Sequence, residues 1–102
     1  RYIHVLVPCP LGWGHGSAET IRMARLAKET ALFPVFEAEN GTVTSVSKIR
    51  RQLPVEDYLR PQTRFAHLFK PPGHADLVAR IQALADRNVQ RFGLLGEAED
   101  TP

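Results

Sequence analysis

The residues best equipped for chemistry lie near the start of the chain, in Pro8-Cys-Pro-Leu-Gly-Trp-Gly-His-Gly-Ser17. Cys9 is the only cysteine. A thiolate that follows a strand, sits between two prolines and precedes a helix N-terminus can ligate a metal or act as a nucleophile. The plainer role for a lone cysteine is that of a small buried hydrophobe. One thiol cannot hold an iron–sulfur cluster, so any cluster here needs three further ligands from elsewhere. The glycines at 12, 14 and 16 allow positive φ or a close approach to the backbone, and Gly12 and Gly14 are the positions where a cofactor would come nearest. The loop can also present N–H groups to an anion. Glu37 lies roughly twenty residues on, where a ribose-binding acid would be sought. The spacing is nevertheless G-x-G-x-G and not G-x-G-x-x-G, and a tight turn held by Trp13 is the simpler reading. His15 shares the loop, whereas His4, His67 and His74 are scattered without zinc spacing. Ser17 reads as a helix N-cap, since no G-x-S-x-G elbow surrounds it.

These residues need elements to hold them. Tyr2 to Val7 is apolar except for His4, which suits a strand covered on both faces. Pro8 and Pro10 end it, because neither can donate a ladder hydrogen bond. Cys9 then stands at a strand's carboxyl end, where ligands gather in open α/β sheets. A helix is expected from about Ala18 to Thr30. Its stripe is Ile21, Ala24, Ala27 and Ala31, widened by Met23 and Leu26, broad enough to pack on a sheet and on something else besides. Pro34 to Glu39 and Thr42 to Val46 flank Asn40-Gly41, the strongest hairpin signal in the chain. The expected register sets Ala38 opposite Val43, Phe36 opposite Ser45 and Glu37 opposite Thr44, with one face buried and the other wet. Pro54 opens a short helix over Val55 to Arg60. A turn or short helix covers Gln62 to Phe69, with Phe65, Leu68 and Phe69 buried. Pro71-Pro72-Gly73 is a break. Beyond it, Leu77, Val78, Ile81, Leu84, Ala85, Val89 and Phe92 mark a helix that ends near Gly93. Glu97 to Pro102 reads as an acidic, frayed end.

The 102 residues suffice for one modest domain, and 43% hydrophobic content supports a core. Thirteen basic residues against eleven acidic ones are spread along the chain, with no basic run interleaved with aromatics. Nucleic-acid binding is therefore not expected. No apolar run approaches the length of a membrane span, and no secretory signal pattern is present. A single cysteine cannot form an internal disulfide, which suits a reducing, cytoplasmic setting. The chain begins at Arg1 and its only methionine is Met23, so a fragment, a processed product or an excised domain is expected.

The ordered motifs carry a family resemblance. Tyr2-Ile-His-Val-Leu-Val-Pro-Cys-Pro-Leu-Gly-Trp13 resembles the Pro-Cys-Pro-Thr-Gly-Trp strand end in the β subunit of 2-oxoacid:ferredoxin oxidoreductases of the pyruvate synthase type. Arg25 to Thr30, Leu32 to Glu37 and Glu39-Asn-Gly41 resemble the next helix and hairpin. Pro54 to Leu59 and Gln62-Thr-Arg-Phe65 resemble the tail. The series covers most of residues 2 to 70 in the family's order. The resemblance implies an α/β chain forming the C-terminal portion of a thiamine-diphosphate-binding fold: strand, loop and helix, then a β-hairpin, then a helical tail. Residues 1–47 would complete the cofactor-binding domain, and residues 48–102 would form the tail. It implies a complex that decarboxylates a 2-oxoacid oxidatively, forms the acyl-CoA and passes electrons to ferredoxin. Thiamine diphosphate, Mg2+ and a [4Fe–4S] cluster would belong to the complete enzyme. Cys9 matches the last cluster ligand.

Two departures stand beside the likeness. Leu11 replaces a threonine, and the paired cysteines and Gly-Asp-Gly diphosphate segment of the family are absent from this chain. The isolated chain is therefore expected to be inactive, to hold no cofactor, and to be unstable through the exposed apolar face of its first strand. Its partners would be the remainder of the subunit and the other oxidoreductase subunits. Two other readings remain open: a non-catalytic assembly or regulatory module with Cys9 merely buried, and a small nucleotide-binding domain using the Gly12–Gly16 loop.

Overall fold

The structure is a computed structural model that describes residues 1–71 and 73–96. Pro72, in the expected break, and the acidic stretch from Glu97 to Pro102 lie outside the described residues. The elements are α1 (Thr20–Glu29), β1 (Phe36–Glu39), β2 (Thr42–Val46), α2 (Val55–Leu59) and α3 (Ala75–Phe92), with short turns of helix at Pro10–Gly14, Ser17–Glu19 and Thr63–Leu68. Helices and one antiparallel hairpin match the mixed class expected. No helix among the described residues is long and apolar enough to cross a membrane.

The first expected strand is absent as a strand. Residues 1–9 take no regular structure, and no backbone hydrogen bond among the described residues reaches residues 1–8. A strand exists only through a neighbour's N–H and C=O groups, and α1, beside it, has none to offer. The apolar side chains are left in water: Tyr2 is 87% exposed, and Ile3, Val5 and Val7 are exposed too. Leu6 alone packs against the core. The edge of the His4 ring meets Phe33, with centroids 5.2 Å apart.

The first helix starts later than expected, because Ser17–Glu19 form a tighter turn ahead of it. Ser17 is not a side-chain cap. Its carbonyl instead accepts the Thr20 hydroxyl at 2.8 Å. Met23, Leu26 and Ala27 are buried, whereas Ile21, on the far side of α1, is 75% exposed. Thr30 closes the helix by donating its hydroxyl to the Leu26 carbonyl at 2.6 Å. Ala31 lies beyond the helix at φ 69°, and its carbonyl accepts from Asn88 Nδ2 at 2.8 Å.

The hairpin forms where Asn40-Gly41 placed it, with φ of 51° and 80° as a type I′ turn requires. Ala38 pairs with Val43 as expected. A bulge between Glu37 and Ala38 then moves Phe36 opposite Val46 and Glu37 opposite Ser45, leaving Thr44 as the extra residue. The expected buried face is missing: all of β1 and all of β2 but Val46 are exposed. The hairpin is anchored where Phe36 stacks on Phe92 of α3 with centroids 4.7 Å apart and where half-buried Val46 packs against the core.

One core joins both ends of the sequence. Met23, Leu26 and Ala27 of α1 meet Val55, Tyr58 and Leu59 of α2, and Val78 and Ala85 of α3. Removing each of the Met, Leu and Val side chains from water contributes about 1.5–3 kcal/mol. Polar bonds fix the angles. Gln82 Oε1 of α3 accepts the Val55 N–H at 3.0 Å, supplying the acceptor that the first N–H groups of α2 lack. Asp86 accepts from Gln52 at 2.9 Å and from Gln82 at 3.0 Å. After α3, Gly93 takes the left-handed conformation at the helix end, and Leu95 then bridges to Ile49 in parallel. Of the expected α3 stripe, Val78 and Ala85 are buried and Ile81, Val89 and Phe92 pack against the core, whereas Leu77 and Leu84 are exposed.

Candidate functional site

Cys9 stands where the disordered-looking sequence of prolines and glycines becomes a defined turn. Pro8 and Pro10 on either side limit the backbone, and Cys9 itself is extended at φ −125° and ψ 107°. The chain then closes a single π turn over Pro10–Gly14, with the His15 N–H donating to the Pro10 carbonyl at 3.2 Å. The Trp13 N–H donates to the Cys9 carbonyl at 2.8 Å. The Gly12 N–H approaches the Cys9 sulfur at 3.4 Å. The thiol is exposed in this chain.

The turn is held from outside by the Thr63–Leu68 segment. Thr63 donates its hydroxyl to the Gly14 carbonyl at 2.8 Å. Gly14 has φ +74°, and a Cβ there would stand 2.5 Å from the Thr63 Cβ. Trp13 is half-buried, meets Tyr58 edge-on at 6.2 Å, and carries the Arg64 guanidinium over its ring at 4.1 Å. Trp13 therefore does hold the loop, as the simpler reading expected.

His15 is buried, and its Nδ1 lies 2.9 Å from the Gly16 carbonyl. A carbonyl only accepts, so that bond assigns the proton to Nδ1. Nε2 is buried with no partner among the described residues.

Of the sequence-derived candidates, Cys9, Gly12 and Gly14 come together in one turn. Gly12 faces the sulfur, and Gly14 faces Thr63. Three of the loop's N–H groups turn inward, to the Cys9 sulfur, the Cys9 carbonyl and the Pro10 carbonyl, an arrangement that does not favour a phosphate cradle. Glu37 lies on the hairpin, away from the loop's hydrogen bonds. Sequence reading missed Thr63 and Arg64, whose contribution depends on a contact spanning about fifty residues. It also treated the basic residues as spread out. The fold gathers Arg25, Lys28, Lys48, Arg50 and Arg51, with Glu29 among them, around one groove of about 860 Å³ between α1 and the 48–51 connector. A second groove, about 410 Å³, is lined by Val5, Leu6, Ile21, Ala24 and Val35 among others. Among the described residues, no three His, Cys, Asp or Glu side chains cluster as a metal site would need.

No protein-family model matches the chain. It is 48% identical over 93 residues to pyruvate synthase subunit PorB of Methanosarcina barkeri, an alignment covering 91% of this chain and 31% of that subunit. It is 32% identical over 102 residues to the pyruvate synthase subunit PorB of Thermotoga maritima, covering 99% of this chain and 32% of that subunit. The ketoisovalerate oxidoreductase subunit VorB of Pyrococcus abyssi is 39% identical over 71 residues, 68% of this chain and 23% of that subunit. The chain spans less than a third of the length of the curated relatives it matches.

Proposed function

We propose that this chain, a homologue of one segment of the pyruvate synthase PorB subunits, is the C-terminal portion of the β subunit of a 2-oxoacid:ferredoxin oxidoreductase and supplies Cys9 as one ligand of a [4Fe–4S] cluster. The relatives' names cover both pyruvate and ketoisovalerate, so the supported substrate class is the 2-oxoacid. The reaction is its oxidative decarboxylation to an acyl-CoA, with the electrons leaving to ferredoxin.

The observation that carries the reading is the state of the sole thiol. It is exposed, set in a closed turn, and approached by the Gly12 N–H at 3.4 Å. An N–H directed at a thiolate favours its charged form and is among the groups that tune a cluster's potential. The donor set fits one ligand and no more, so three ligands come from the rest of the complex. The cluster, when bound, serves as a one-electron carrier. This chain's part is to hold a thiolate at a fixed point, with Gly12 beside the sulfur and Trp13 anchoring the turn. Thiamine diphosphate and Mg2+ fall to the remainder of the subunit, since no Gly-Asp-Gly segment occurs here.

The test is purification, without oxygen, of the complex that contains this chain, through a tag on its subunit. The expected product reduces a viologen dye only when a 2-oxoacid and CoA are both present. A purified intact complex that reduces no dye with pyruvate or with branched-chain 2-oxoacids would overturn the assignment.

A further inference from the structure

We propose that Thr63 and Arg64 are positioning residues for Cys9, Thr63 by locking the turn and Arg64 by fixing a positive charge against it. The proposal rests on the reading of Cys9 as a cluster ligand. The Gln62-Thr-Arg-Phe65 segment has no role in that reading, yet it makes the contacts that shape the Cys9 turn. Thr63 bonds the Gly14 carbonyl at 2.8 Å and leaves no room for a side chain on Gly14.

Arg64 is held far more firmly than an exposed arginine needs to be. Its guanidinium lies 4.1 Å from the Trp13 ring centroid and 4.6 Å from that of Phe65. Its Nε donates to Gln62 Oε1 at 2.7 Å, and its Nη2 to the Tyr58 hydroxyl at 3.2 Å. Gln62 is itself fully buried and bonded to the Tyr58 carbonyl at 2.5 Å. None of these partners is a carboxylate. The two ion pairs among the described residues, Arg22–Glu19 and Arg60–Glu56, do not involve Arg64. Ordering this side chain costs about 2 kcal/mol of rotamer entropy, spent on a charge with no carboxylate partner among the described residues. Trp13, on which the guanidinium rests, is also the residue whose N–H bonds the Cys9 carbonyl. Rigid support of a ligand raises its affinity. A fixed cation nearby favours the more negative, reduced state of a thiolate-bound cluster.

The two residues separate by experiment in the complete complex, prepared without oxygen. The readouts are the rate of iron loss to bathophenanthroline disulfonate and the cluster's reduction potential. Thr63→Val is expected to lose iron about tenfold faster at an unchanged potential, and Thr63→Ser to restore the slow rate. Arg64→Gln is expected to lose iron faster and to shift the potential to more negative values. Arg64→Lys, which keeps the charge without the planar fork, should recover the potential but not the rate. Wild-type rates and potentials in Thr63→Val and Arg64→Gln would overturn the proposal, provided Cys9→Ser loses its iron. Full iron in Cys9→Ser would instead overturn the ligand reading beneath it.

Discussion

Gly14→Val should destabilise the folded subunit by about 3 kcal/mol and loosen the one thiol the site depends on. Two separate terms add. The backbone at Gly14 has φ +74°, where a β-branched residue is strained. The new Cβ would also meet Thr63 at three atoms: Cβ at 2.5 Å, Oγ1 at 2.8 Å and the backbone N at 3.1 Å. The last of these is main chain and cannot swing aside, so the turn must move. Gly12→Ala is the control. Its Cβ would rest 3.5 Å from the Cys9 sulfur, an ordinary contact, and its backbone is not in the left-handed region. Denaturant unfolding of the complete subunit should therefore show a large drop in midpoint for Gly14→Val and a small one for Gly12→Ala. Equal, small changes would show that the turn does not press on Thr63.

Ile21→Asp should behave as a core substitution, although Ile21 is 75% exposed. Within this chain the change is benign, since an acid in the first turn of α1 suits the helix dipole. The groove beside it tells a different story. Val5, Ala24 and Val35 line it with Ile21, and Tyr2, Ile3 and Val7 extend the apolar surface with unbonded backbone. If the rest of the subunit supplies the strands that this surface lacks, the new carboxylate is taken out of water in place of an apolar contact, with Arg25 and Lys28 of the groove as the cations it can reach. The lost burial of Ile21 costs about 1.5–3 kcal/mol and desolvation of the carboxylate adds to it, enough to abolish assembly of a marginally stable complex. The check is the yield and melting temperature of the complete complex. An Ile21→Asp complex that assembles and melts like the wild type would show that this face stays in water.

Local chemistry was legible in the sequence, and contacts between distant segments were not. Asn40-Gly41 specified the hairpin turn because only residues tolerant of positive φ close a type I′ turn. Gly93 ended α3 for a related reason. The short helix after Pro54 also formed where the proline placed it, over Val55–Leu59. The register beyond Ala38 was not legible, since a bulge depends on how the strands twist together. Tyr2–Val7 misled for a physical reason: apolar, β-prone residues announce a strand, but a strand also needs a neighbour's N–H and C=O groups, and none among the described residues offers them. Ile21 misled in the same way, as its periodicity fits a helix while its side of the helix finds no neighbour here. At the candidate site, the turn that follows Cys9 was legible from its prolines and glycines. Thr63 and Arg64 were not, because nothing local marks a threonine that touches a glycine carbonyl 49 residues away.

The central claim is that Cys9 holds iron. Its most direct test is the iron and acid-labile sulfide content of the complete complex, purified without oxygen, with and without Cys9→Ser. The account predicts that the variant assembles but loses about four iron atoms per β subunit, with the matching part of the brown absorbance. Unchanged iron and sulfide in an intact Cys9→Ser complex would contradict it, and Cys9 would then be an exposed thiol with no place in the electron path.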